Sequence, residues 1–327
     1  MNERRGFLTR RTMLAATLAA ASTPGAGYAQ EHFPSKPITL IVPWPAGGAT
    51  DVTLRLLAEL AGQRLGQRIV IYNRPGAGGT MAMPMLQHAL PDGYTLAQLP
   101  FPVLRVPYLQ KVDWDPIRDT TPIIQISGVT FGVLVPAASP FKSFDDLLKF
   151  AAAHPGELTI STNGLGTTPH VVMDEVFGRR NLRYIHVPYK GTSEQMVALA
   201  SGQLMVGVNS NGFAPYVDAG QLRLLVTFSD TRTRRWPDVP TLKELGFGIV
   251  ATSPYGLVGP AGMNPQVLAA LHSAFKAALF DPVHLQELAK FDQEPAYLPP
   301  EAYAAALREA YAAERRSVER QGLGRAS

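Results

Sequence analysis

Three times in this sequence a short strand-like run ends in a glycine-bearing loop, and a helical pattern begins directly after it. The first loop is Trp44-Pro45-Ala46-Gly47-Gly48-Ala49-Thr50-Asp51, after the apolar run Ile38–Val42. The second, Asn163-Gly164-Leu165-Gly166-Thr167-Thr168-Pro169-His170, follows Leu158–Ser161, and the third, Lys190-Gly191-Thr192-Ser193-Glu194-Gln195, follows Tyr184–Val187. A helix start leaves its first N–H groups without intrahelical partners, and glycine lets the backbone turn those groups toward a ligand, so such loops can grip carboxylates or phosphates. Thr50 and Thr168 are the expected N-caps, Pro169 suits a first helical position, and Thr192 with Gln195 has capping-box spacing. The hydroxyls of Thr162, Thr167 and Thr168 can donate to a carboxylate without a full opposing charge, which favours reversible binding. Lys190 could add positive charge to the same cleft. His170 fits either a helix-start hydrogen bond or direct ligand contact, and ordinary α/β turns share the composition of all three loops.

Other chemistries lack their residues. The chain has no cysteine, which removes disulfides, thiol catalysis and thiolate metal sites. Its seven histidines show no paired metal-ligand spacing, and neither a G-x-S-x-G elbow nor H-E-x-x-H occurs. Gly76, Gly78 and Gly79 do not form G-x-G-x-x-G, so no dinucleotide or other cofactor is expected.

Arg4-Arg5-Gly6-Phe7-Leu8, an apolar stretch from Met13 to Ala21 and small residues ending at Ala29 together read as an export signal of twin-arginine type, spanning 1–29 and cleaved near Ala29. Arg10-Arg11 offers an overlapping second pair, so the route could be Tat or Sec. Removing this segment takes four arginines and one glutamate, which lowers the net charge from +4 to +1. The mature chain then has no dense basic stripe for nucleic acid; Arg232, Arg234 and Arg235 read as a solvated loop.

The elements that must hold these loops alternate. Runs at Ile38–Val42, Ile69–Tyr72 and Tyr94–Leu99 are separated by helical patterns, which predicts a mainly parallel sheet covered by helices. Strands are expected at Thr121–Ile126, Gly132–Val135, Gly202–Val208, Gly220–Thr227 and Tyr255–Val258, and a capped helix from Ser143 to Ala153. Helices follow at Pro265–Phe280, Pro282–Phe291 and about Pro300–Arg320, the last expected to pack back on the first domain, and Gln321–Ser327 should fray. At 327 residues the chain has room for two domains, with a crossing near Asp113–Val135.

The order of several motifs resembles the periplasmic receptors of tripartite tricarboxylate transporters, the Bug receptors. Phe33-Pro-Ser-Lys-Pro-Ile38, Val42-Pro-Trp-Pro-Ala-Gly-Gly-Ala-Thr-Asp51, Asn73-Arg-Pro-Gly-Ala-Gly-Gly79, Pro91-Asp-Gly-Tyr-Thr95, Val187-Pro-Tyr-Lys-Gly-Thr192 and Pro237-Asp-Val-Pro-Thr241 carry it across the mature chain. The resemblance implies an α/β, two-lobed periplasmic binding protein of type II architecture with two chain crossings: lobe 1 from 30–128 plus 251–327 and lobe 2 from 129–250. It implies a monomer that holds a small carboxylate between the Trp44–Asp51 and Asn163–Thr168 loops, closes, and presents the closed form to membrane transporter subunits. The chain departs from the family at Met205 and Asn209, where acidic residues are common. An amide at Asn209 disfavours an ammonium-bearing ligand and leaves a monocarboxylate, dicarboxylate or aromatic acid. A sensory receptor presenting the same closed form to a signalling partner, and an exported enzyme, are the alternative readings.

Overall fold

The computed structural model describes residues 33–320, so the export signal and the frayed tail lie outside the described residues. Ile38–Val42 (β1) is an apolar strand buried on both faces, as expected between two layers of helix. It leads through the first loop into Ala49–Leu65 (α1), which Gly66 ends in a left-handed cap at φ 69°. Ile69–Asn73 (β2), Ala82–Gln87 (α2), Thr95–Leu99 (β3) and the short Val106–Leu109 (α3) follow. β2 and β3 flank β1, both parallel to it.

Thr120–Pro136 (β4) is one 17-residue strand where sequence reasoning expected two. Ser127-Gly128 reads locally as a break, but pairing continues through it. Phe144–Ala153 (α4) starts with the expected capping box, Ser143 Oγ accepting from the Asp146 N–H at 3.2 Å and Asp146 from Ser143 N–H at 2.9 Å. Next come Thr159–Thr162 (β5), Thr168–Arg179 (α5), Ile185–Pro188 (β6), Thr192–Ala200 (α6), Val206–Ser210 (β7), Ala214–Asp218 (α7) and Leu222–Thr227 (β8). The strand predicted from Gly202 begins only at Val206, because Gly202 sits in a left-handed turn at φ 78°. The chain returns in Thr252–Pro260 (β9), longer than the predicted Tyr255–Val258, then Pro265–Leu279 (α8), Pro282–Lys290 (α9), the unforeseen Pro295–Leu298 (β10) and Pro300–Arg320 (α10).

The sheet runs β2-β1-β3-β9-β4-β7-β5-β6, with β8 and β10 also on β4. β4 changes partners along its length: Thr120–Thr130 lies against β9, and Phe131–Pro136 against β7 and β8. One end of the strand thus belongs to a half built on β1–β3 and β9, the other to a half built on β5–β8. α10 packs on β4 and α3 in the first half, burying Tyr303, Leu307 and Val318. Among the described residues no helix is long and apolar enough to cross a membrane. Arg235 of the predicted solvated loop is tied to Asp218 and to the Ala289 and Lys290 carbonyls at 2.8 and 3.1 Å.

Candidate functional site

The loop after β1 is held from beneath by Asp51. Its carboxylate is 1% exposed and accepts from the Gly47 N–H at 2.9 Å, Asn73 Nδ2 at 2.7 Å and Arg55 Nε at 2.9 Å. Burial alone would raise its pKa; the bonds from Arg55, Asn73 and Gly47 outweigh that and hold it below the usual aspartate value. Asp51 is therefore spent on shaping the loop, and the Gly47 N–H is spent with it. Asn73 also donates to the Trp44 carbonyl at 3.0 Å. The Trp44 ring lies against Gly79, where a Cβ would come within 2.7 Å of it. The second glycine motif, Asn73 to Gly79, thus serves the first loop rather than a nucleotide.

The helix caps fall earlier than expected at each loop, by two residues at the first and by one at the others. Gly48, not Thr50, is the N-cap of α1; Thr167, not Thr168, caps α5; and Gly191, not Thr192, precedes α6. In none of the three does a side chain cap the helix, because two of the N-caps are glycine and the Thr167 hydroxyl is bonded to the Gly164 carbonyl. The first-turn N–H groups of α1 and α5 are left for a ligand, less the one that Pro169 lacks.

These two helix starts face one cavity between the halves. Trp44, Gly48, Thr50, Asn163, Thr167 and Thr168 of the predicted residues line it, with ≈ 60 Å³ in which the centre of a water molecule can sit. Sequence reasoning named Pro45, Pro169 and Thr192 only as loop and helix-start residues and missed the rest of the wall: Gln98, Pro100, Phe101, Pro102, Val129, Phe131, Ser210, Ser253 and Tyr255. These lie in β3, β4, β7 and β9 or at the 3-10 turn after β3, and no local pattern marks them. The lining contains no Asp, Glu, Lys, Arg or His. Thr167 Oγ1 donates to the Gly164 carbonyl at 2.7 Å, so its proton is not available to a ligand, and Thr168 Oγ1 pairs with Ser253 Oγ at 3.1 Å.

Ala46 and Gly47 are exposed on the outer side of the first loop, and Ala49 is buried under it. Gly164, Gly166, His170 and Lys190 line a neighbouring groove with Asn163 at the border. His170 takes the helix-start role: its Nδ1 accepts the Gly166 N–H at 3.3 Å and its Nε2 faces Asp174 at 3.3 Å. Its ring lies 4.2 Å from that of His186, whose pKa is pushed down to about 4, by burial first and then by His170. Asn209 is wholly buried behind the cavity, its Oδ1 accepting from Thr192 Oγ1 at 2.9 Å and from the Ser210 N–H at 2.7 Å, so it acts on the cavity through those two lining residues. Among the described residues no group of three or more acids and histidines could hold a metal.

The halves touch around this cavity. Gly191 lies against Pro45, where a Cβ would come within 2.7 Å of the ring; Ser193 Oγ reaches the Ala46 carbonyl at 3.4 Å; and a Cβ at Gly78 would lie 3.0 Å from the Leu165 carbonyl. Arg105, paired with Glu314 of α10, donates from Nη1 to the Gly166 carbonyl at 3.1 Å. Glycine stands where the loops come closest.

Residues 53–323 match the sequence profile described as "Tripartite tricarboxylate transporter family receptor". The UPF0065 protein in the gbd 5′ region of Cupriavidus necator is 44% identical over 326 residues, 99% of each chain. Two solved structures from Rhodopseudomonas palustris share the fold at 26% identity: one with adipate, TM-score 0.83, covering 89% of this chain and 99% of that one, and MatC with bound malate, TM-score 0.80, covering 88% and 100%.

Proposed function

The chain belongs to the tripartite tricarboxylate transporter receptor family, and on that premise we propose that it is an exported periplasmic solute-binding protein that closes its two lobes on a small carboxylate and delivers it to a membrane transporter. The observation that carries the reading is that the first turns of α1 and α5 face one cavity whose lining holds no charged side chain. Two helix starts attract an anion, and their N–H groups bind it without a buried cation that would hold it too tightly to release. The malate and adipate in the two related structures are ligands of the same class. The change of partners along β4 supports lobes of 30–128 plus 251–327 and of 129–250, with the cavity at their border. In this reading Trp44, Gly48, Thr50, Asn163, Thr167 and Thr168 meet the ligand, and Asp51, Asn73 and Asn209 position them.

The test is a thermal-shift screen of the mature protein against small carboxylates. A ligand at a hundred times its Kd adds about 2.7 kcal/mol to stability, a shift of a few degrees for a protein of this size. Recovery of the acid chemically unchanged after incubation distinguishes binding from turnover. No shift with any mono- or dicarboxylate would remove the anion reading.

A further inference from the structure

The cavity presents hydrogen-bond acceptors as well as helix-start donors. Asn163 is 8% exposed and Gln98 2%; both line the cavity, and Asn163 Oδ1 and Gln98 Oε1 are buried without a partner. A carboxylate cannot satisfy a carbonyl oxygen, since it has no proton to give.

The direction in which Asn163 faces is set by a chain of bonds behind it. Gln195 Nε2 donates to the Ser161 carbonyl at 2.8 Å, and a carbonyl can only accept. Gln195 Oε1 is therefore turned to take the Asn209 amide. Asn209 Oδ1 then accepts from the Ser210 N–H at 2.7 Å and from Thr192 Oγ1 at 2.9 Å. With its proton committed, the Thr192 oxygen accepts from Asn163 Nδ2 at 3.4 Å, and the Asn163 carbonyl is left without a partner. Turning any one of these amides over would oppose donor to donor or acceptor to acceptor.

We infer that the bound acid carries a hydroxyl that donates to Asn163 Oδ1, so that the cargo is a short hydroxy acid. The inference rests on the carboxylate reading and specifies the ligand for the same cavity. A hydrocarbon at this point would leave a desolvated carbonyl unpaired, and an ammonium would enter a cavity whose lining offers no carboxylate to balance it. A hydroxyl supplies the missing donor and brings no charge.

The experiment is calorimetric titration of the mature protein with matched acids, lactate against propionate and malate against succinate, with alanine as the ammonium-bearing counterpart of lactate. At least one hydroxy acid should bind tenfold or more tightly than its deoxy partner, and alanine more weakly than lactate. In Thr192→Val, which frees the Asn163 amide to turn, that ratio should fall toward one. Acids that bind with every pair differing by less than tenfold, or alanine binding more tightly than lactate, overturn the inference and leave the carboxylate reading standing. A tenfold ratio that persists in Thr192→Val overturns the assignment to Asn163. Failure of every acid to bind overturns the carboxylate reading and this one with it.

Discussion

Replacing Gly191 by alanine tests closure without touching the ligand's own contacts. The residue is in extended backbone, φ 176° and ψ −175°, which alanine can adopt, so the substitution has no intrinsic strain. Its Cβ would nonetheless meet the Pro45 ring at 2.7 Å and less, where ordinary contact begins at 3.4 Å. Gly191 and Pro45 stand on opposite sides of the cavity border, so the clash exists only when the halves are together. Overpacking of this kind costs about 1–3 kcal/mol. Charged entirely to the closed form, that is a weakening of Kd by roughly 5- to 150-fold. Titration with the best acid from the screen should show the loss, while the melting temperature of the ligand-free variant stays at the wild-type value. Pro45→Ala removes the atoms that collide, so the double variant should recover most of the loss, and the double-mutant cycle isolates the pair from any separate effect on the loop. Affinity for Gly191→Ala within twofold of wild type, or no recovery in the double variant, would refute the argument that this contact limits closure.

Four further outcomes follow from the same geometry. Gly48→Val should weaken carboxylate binding at least tenfold with the fold intact, because φ −77° suits any residue and its Cβ has ordinary contacts at 3.9 Å, so the added methyls enter the cavity; titration beside a melting curve checks both. Gly166→Val is a different test, since φ 71° and a Cβ 3.2 Å from Leu109 Cδ1 strain the loop by about 1–2 kcal/mol outside the cavity. Asp51→Asn should cost about 1–3 kcal/mol in urea unfolding, the value of losing a charged acceptor under Gly47 and Asn73, with little from the half-exposed Arg55. For His186, with a folded pKa of about 4 against an ordinary 6.5, the unfolded chain binds the extra proton between those values. The His186 contribution to stability is therefore complete above pH 6.5 and lost toward pH 4; melting temperatures across this window should show the fall, and His186→Gln should reduce it, the remainder coming from His170, His272 and His284, whose pKa values burial also lowers.

Much of the fold could be read from local pattern because its elements are locally encoded: the apolar run Ile38–Val42, the capping box at Ser143 and the proline-led starts of α8 and α9 each carry their own signal. β4 could not be read as one strand, because what carries it past Ser127 and Gly128 is pairing with β9, more than a hundred residues later.

The site divides in the same way. The two anion-ready loops were visible as glycines before helices, but the role of each glycine depends on what approaches it. Gly79 admits the Trp44 ring, Gly78 admits the Leu165 carbonyl, and Gly191 admits Pro45, and none of those partners is near in sequence. Asn209 shows the limit most sharply. The family resemblance marks it as a position where an acid is common, yet its amide never reaches the cavity; it holds Thr192, which holds Asn163. Ligand selectivity at such a site is thus set by the direction in which a buried chain of amides points. That direction is fixed by two backbone groups, the Ser161 carbonyl that takes the Gln195 amide and the Ser210 N–H that Asn209 accepts, which no side-chain pattern can encode. A substitution at Gln195, two bonds further back and outside the cavity lining, should accordingly alter selectivity less than Thr192→Val does, because the Ser210 N–H still turns Asn209 toward Thr192.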